Sequence, residues 1–123
     1  MDFEELLSKS DIVSVHAPLD ENTRGLFDKA AFEQMKETAI FINVGRGPIV
    51  VEQDLVDALN EGKIAAAGLD VLSVEPMSEQ NPLRTIKDSN KLIITPHIAW
   101  ASVEARTRLM KIISEQIKEF FGL

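Results

Sequence analysis

Cysteine is absent from the 123 residues, which excludes a disulfide framework, a thiolate nucleophile and a cysteine-built zinc site. Positive charge is scarce: 13 Lys and Arg stand against 20 Asp and Glu, for a formal net charge of −7. No run of basic residues forms a stripe that would neutralise a phosphate backbone, so nucleic acid is not expected as a partner. Long apolar runs are missing too, none approaching the roughly 20 residues a membrane-spanning helix needs, and the acidic balance argues against a basic membrane-surface helix. The opening MDFEELLSKSD lacks the apolar region of a signal peptide, which favours the cytoplasm. Glycine is sparse: the six fall at 25, 45, 47, 62, 68 and 122, so no G-x-G-x-x-G phosphate loop exists.

What is present suits one folded domain. Hydrophobic residues make up 45% and charged residues 27%, close to the average for soluble globular domains, and the length falls inside the common domain range. Four short apolar segments read as strands: DIVSVHAP from Asp11 to Pro18, AIFINV from Ala39 to Val44, IAAAGLDV from Ile64 to Val71, and KLIITP from Lys91 to Pro96. Their near-continuous hydrophobicity suits a parallel sheet. Between them lie helical patterns. Asp28 is placed to cap a helix in which Ala31, Phe32 and Met35 share a face. The segment after Val51 sets Leu55, Val56 and Leu59 on one face and stops at Gly62. Ser102 is placed to cap a long helix with an apolar stripe through Ala105, Leu109, Ile112, Ile113, Ile117, Phe120 and Phe121. The expectation is an α/β fold: a Rossmann-like half, a four-stranded parallel sheet with helices on both faces, joined by right-handed crossovers.

In such a sheet all strand C-terminal ends lie along one edge, where ligands bind. After the second strand comes Asn43-Val44-Gly45-Arg46-Gly47, after the third Asp70-Val71 and then Glu75-Pro76, and after the fourth Thr95-Pro96-His97. One guanidinium, two carboxylates and one imidazole are thus expected along one edge. Arg46 offers a planar fork that matches a carboxylate bidentately. The imidazole of His97 can pass a proton to or from an oxygen, and a nearby Glu75 carboxylate could pair with it. The set suits proton transfer on a small acid; no G-x-S-x-G elbow supports an acyl-transfer triad. Taken singly, each residue has a plainer alternative. Gly45-Arg46-Gly47 could be a turn with a solvated arginine, Glu75 a surface carboxylate, His97 a local hydrogen-bonding residue, His16 a strand-end packing residue, and Phe120 and Phe121 core or interface. No metal-binding cluster is expected.

In series, VSVHAPLDENTRGLF, FINVGRGPIVVEQDLVDALNEGKIAAAGLDV, EP and ITPHIAWASVEAR resemble the D-isomer-specific 2-hydroxyacid dehydrogenase family over nearly the whole chain. The His-Ile-Ala-Trp form at His97 to Trp100 is similar to the glycerate dehydrogenase and hydroxypyruvate reductase branch. The resemblance implies NAD(H) as cofactor and a small 2-oxo or 2-hydroxy acid as substrate. It assigns substrate binding to Arg46, orientation of the histidine to Glu75 and the general acid/base to His97. It assigns the nicotinamide carboxamide to Asp70, and the dinucleotide lining to Pro18, Leu19, Thr23, Asn43, Val44, Gly45, Arg46, His97 and Ala99. By the same resemblance residues 1–123 are the second half of the NAD-binding domain, with the first half and the substrate domain not represented. A piece of that kind, natural or engineered, would be inactive alone. The segment at Asp11 to His16 would then be an edge strand, and that edge or the last helix is expected to mediate a homodimer. The alternative is a non-enzymatic, self-associating unit, half-Rossmann or flavodoxin-like.

Overall fold

A computed structural model describes residues 1–123. Four parallel strands lie in the order in which they occur: β1 (Ile12–Val15), β2 (Ile40–Asn43), β3 (Ala66–Leu69) and β4 (Leu92–Ile94). Helices α1 (Phe3–Lys9), α2 (Lys29–Gln34) and α3 (Glu52–Glu61) precede β1, β2 and β3, and α4 (Val103–Phe121) closes the chain. No helix is long and apolar enough to cross a membrane.

The boundaries follow from local chemistry. Asp28 Oδ1 accepts the Ala31 amide at 3.0 Å and caps α2, and Ser102 Oγ accepts the Ala105 amide at 3.2 Å and caps α4. Gly62 ends α3 with φ of 74°, a left-handed turn that glycine adopts without strain. Helix α1 is not anticipated from the sequence. Its signals are local, Asp2 accepting the Glu5 amide at 2.8 Å and a single buried anchor, Leu7.

The parallel sheet and its strand assignments follow the sequence expectation, but the second helical layer does not. Val13, Val15, Phe41, Ala67 and Leu69 point to one face, where they join Leu7, Phe32, Leu55, Val56 and Leu59 from the three helices in a single core. Phe41 is fully buried, with its ring 4.8 Å from Phe27 and 5.3 Å from Phe32. The opposite face carries Ile12, Ser14, Ile40, Ile42, Ala66, Gly68 and Ile93, none of them buried. Helix α4 also has no buried residue. The cause is topological. Right-handed crossovers taken in one direction, from β1 to β2 to β3, place every connection on the same side of the sheet. Helices on both faces would require the strand order to reverse.

Candidate active site and dinucleotide cleft

The C-terminal edge of the sheet is built from three loops that hold one another. In the first, after β2, the buried Asn43 turns both side-chain groups onto its own chain: Nδ2 donates to the Arg46 carbonyl and Oδ1 accepts the Gly45 amide, each at 3.0 Å. Gly47 then lies against the second loop so closely that a Cβ would stand 1.9 Å from the Leu72 carbonyl carbon. In that second loop Glu75 folds back, Oε1 accepting the Leu72 amide at 2.9 Å. Its Oε2 meets Nδ1 of His97, from the third loop, at 2.8 Å.

His97 sits in the left-handed region, φ 57°, an unfavourable setting for a residue with a Cβ that persists only where neighbours enforce it. Asp70 enforces it. This buried carboxylate accepts Thr95 Oγ1 at 2.5 Å, the Ile98 amide at 2.9 Å and the Ala99 amide at 2.9 Å, bracketing His97 on both sides. Trp100 adds a clamp by donating its indole N–H to the His97 carbonyl at 2.9 Å. Burial pushes the Asp70 carboxyl up, but the bonds from Thr95, Ala99 and Ile98, with the nearby His97, outweigh it and hold the group below its ordinary range. Glu75 is also held low, first by the Leu72 amide and then by the His97 hydrogen bond, against burial and the Asp70 charge.

Glu75, His97 and Asp70 share one cleft, with Thr95 and Pro96 on its wall and Met77 beside them. Its volume is about 420 Å³. Arg46 is not in that wall. Its exposed guanidinium donates to the Gly45 carbonyl at 2.8 Å, makes no ion pair, and lines a neighbouring cleft with Pro18, Leu19, Val44, Gly45 and His16. A third hollow lies on the open face at the ends of β2, β3 and β4, lined by Ile42, Val44, Gly68, Asp70, Ile98 and Ala99 among others. This hollow shares Val44 with the Arg46 cleft and Asp70 and Thr95 with the Glu75–His97 cleft, so it lies between them, and Arg46 lines a different cleft from the imidazole-carboxylate pair.

Two of the residues expected at the cofactor hold loop structure with their side chains. Asn43 is wholly buried, with its side-chain groups bonded to Arg46 and Gly45. Thr23 donates to the Pro18 carbonyl at 2.7 Å and accepts the Asp20 amide at 2.9 Å, holding its own turn. His16 is exposed at a strand end and bonded to Ser14 Oγ at 2.9 Å, not packed. Sequence reasoning missed Ile42, Gly68 and Ile98 as lining. The period-2 pattern together with the one-way crossovers would have pointed to them.

The model of the family described as D-isomer specific 2-hydroxyacid dehydrogenase, NAD binding domain, matches residues 1–99. The chain belongs to that family. A hydroxypyruvate reductase of Blautia hydrogenotrophica is 51% identical over 98% of this chain and 36% of its own length. The human glyoxylate reductase/hydroxypyruvate reductase is 43% identical over 92% of this chain and 34% of its own. Among solved structures, the NAD-complexed D-isomer specific 2-hydroxyacid dehydrogenase of Lactobacillus delbrueckii superposes with a TM-score of 0.84 at 29% identity, over 99% of this chain and 40% of that one. This chain thus spans between about a fifth and two fifths of the length of curated relatives such as these.

The residues present fit a nicotinamide dinucleotide. Gly68 has nothing within 4 Å of where a Cβ would stand, leaving a side-chain-free floor among aliphatic walls that suits a flat heteroaromatic ring. Asp70 uses both acceptor sites of Oδ1 and one of Oδ2, which leaves one for an amide N–H.

Proposed function

We propose that residues 1–123 form the second, catalytic half of the NAD-binding domain of a D-2-hydroxyacid dehydrogenase acting on a small 2-oxo acid of the glyoxylate or hydroxypyruvate type. The carrying observation is the 2.8 Å pairing of Glu75 Oε2 with His97 Nδ1 beside the buried Asp70. A carboxylate on Nδ1 keeps that nitrogen protonated and leaves Nε2 to exchange a proton with a substrate oxygen in the cleft. Arg46, exposed and without an anionic partner, is suited to grip the substrate carboxylate. When bound, the nicotinamide would supply or accept hydride. Val44, Gly45, Pro18, Leu19 and Ala99 would line it, and Asp70 would take its carboxamide. The high identity to hydroxypyruvate and glyoxylate reductases supports the substrate class.

The absence of a G-x-G-x-x-G loop removes the helix N-terminus that would anchor the pyrophosphate. The chain alone should therefore bind NADH weakly and turn over neither glyoxylate nor hydroxypyruvate. Titration of NADH followed by ligand-observed NMR, with His97→Ala and Arg46→Ala as further samples, tests this: saturable transfer to the nicotinamide protons is expected, and its absence at millimolar cofactor would overturn the cofactor assignment.

A second reading concerns assembly. The bare sheet face and the apolar side of α4, with Phe120 82% exposed and Ile117 51%, favour a homodimer formed through the β1 edge or the last helix in the cytoplasm. Light scattering over a concentration series is expected to show a mass twice that of the chain at high micromolar concentration, and a strictly monomeric mass there would reject it.

A further inference from the structure

The loop that carries Glu75 has little of its own to hold it. Between Val71 and Gln80 most side chains are exposed, and the only side chain on another element that accepts one of its backbone amides is Glu52. Glu52 Oε1 accepts the Ser73 amide at 2.7 Å, next to Leu72, whose own amide holds Glu75. Its Oε2 accepts Nδ2 of Asn81 at 3.0 Å at the far end of the same loop. Asn81 is buried, and its Oδ1 is occupied by the Leu83 amide at 2.8 Å, so its amide orientation is fixed. Glu52 lies in the first turn of α3, one turn before the buried Leu55 and Val56. One carboxylate therefore ties both ends of the Glu75 loop to the rigid core.

We propose that Glu52 is a positioning residue for the Glu75–His97 pair, acting by bridging Ser73 and Asn81. It touches neither the imidazole nor the cleft. Its effect passes through the Leu72–Ser73 backbone, against which Gly47 also packs. This rests on the reading of Glu75 and His97 as the working pair, but the test requires neither cofactor nor substrate, so the two can fail separately.

The test is NMR on the full chain carrying Glu52→Ala or Glu52→Asp, reading Ser73 amide exchange and the titration of the Glu75 side-chain carboxyl. The charged groups facing Glu75 are His97 and Asp70, and both are retained. Loss of the carboxylate should speed Ser73 exchange by about tenfold or more and move the Glu75 titration upward as the Leu72 amide drifts. The sign discriminates, because removal of an anion by Coulomb's law alone would move Glu75 downward. Aspartate keeps the charge but is one methylene too short to span both partners, so a smaller upward movement is expected, and this milder variant serves if the alanine protein does not fold. Unchanged Glu75 titration and Ser73 exchange in a folded variant would overturn the proposal. Upward movement in a chain that fails to bind NADH would leave Glu52's role standing and sink only the dinucleotide reading.

Discussion

The two faces of the sheet have been built from the same kind of residue and have met opposite fates. Phe41 and Ile40 are neighbours in β2, yet one is fully buried under α2 and the other is 39% exposed on the bare side. No residue after Leu83 is buried at all. Hydrophobicity thus does not tell which face receives the helices; the direction of the crossovers does. The site sits on the boundary between these regimes. Of its clamps, Asn43 is rooted in the covered side and Asp70, though buried, lines the open-face hollow, whereas Ile98, Ala99 and Trp100 stand in the open.

The largest contrast is expected between Phe41 and Phe120. Phe41→Ala removes a fully buried ring that meets two others and should cost about 3–5 kcal/mol in urea unfolding. Two glycines give the next contrast. Gly47→Ala drives a Cβ into the Leu72 carbonyl, backbone that cannot swing aside, and should cost about 3 kcal/mol. Gly68→Ala meets nothing within 4 Å; it should leave stability within about 0.5 kcal/mol while weakening NADH binding by filling the cleft floor. Equal losses at the two glycines would mean that the open face is covered in solution.

Asp70 spans the boundary and gives a smaller, pH-dependent effect. Its carboxyl and that of Glu75 are held below their ordinary values of 3.8 and 4.5. A group lowered on folding contributes stability that is complete above the unfolded value and is lost as pH falls through the folded one. Stability should therefore be flat near neutrality and decline in acid below about pH 4.5. Asp70→Asn turns a donor toward an amide N–H that had an acceptor, and should cost about 2 kcal/mol near neutral pH. It should also remove its share of the acid decline, measured by urea midpoints at a series of pH values.

Local chemistry that a sequence displays was readable: Asp28, Ser102 and Gly62 announced helix ends, and each strand appeared as an apolar run near its true place. The Glu75–His97 pairing was legible because both follow parallel strands whose C-termini share an edge. What escaped was tertiary. Nothing in the letters says that Asn43 turns inward on its own loop, that Glu52 reaches 21 residues forward to Ser73, or that Asp70 brackets a histidine in the left-handed region. These depend on which of two alternating sides a residue faces and on how loops from different strands meet. The missed α1 is another kind of failure: seven residues with one buried anchor carry too little periodicity to stand out.

The smallest effect is expected at α4, and it bears most directly on the contrast between the two faces. All of its 19 residues are free of burial, so Ile117→Ser with Phe120→Ser removes no packing from the core. Serine has about the same helix propensity as the isoleucine and phenylalanine it replaces. The urea midpoint at low micromolar concentration should move by less than about 0.5 kcal/mol equivalent. Most helical stability in proteins comes from packing of an apolar face rather than from propensity, and α4 packs none, so amides of residues 112–121 should exchange far faster than those of Phe41 and Leu69. If the double variant instead costs about 3 kcal/mol or more, the sum expected for two buried side chains, α4 is folded onto apolar surface in solution. The concentration dependence of that cost then identifies the cover: a cost that vanishes on dilution of the wild type belongs to a second copy, and one that persists belongs to the same chain's open sheet face.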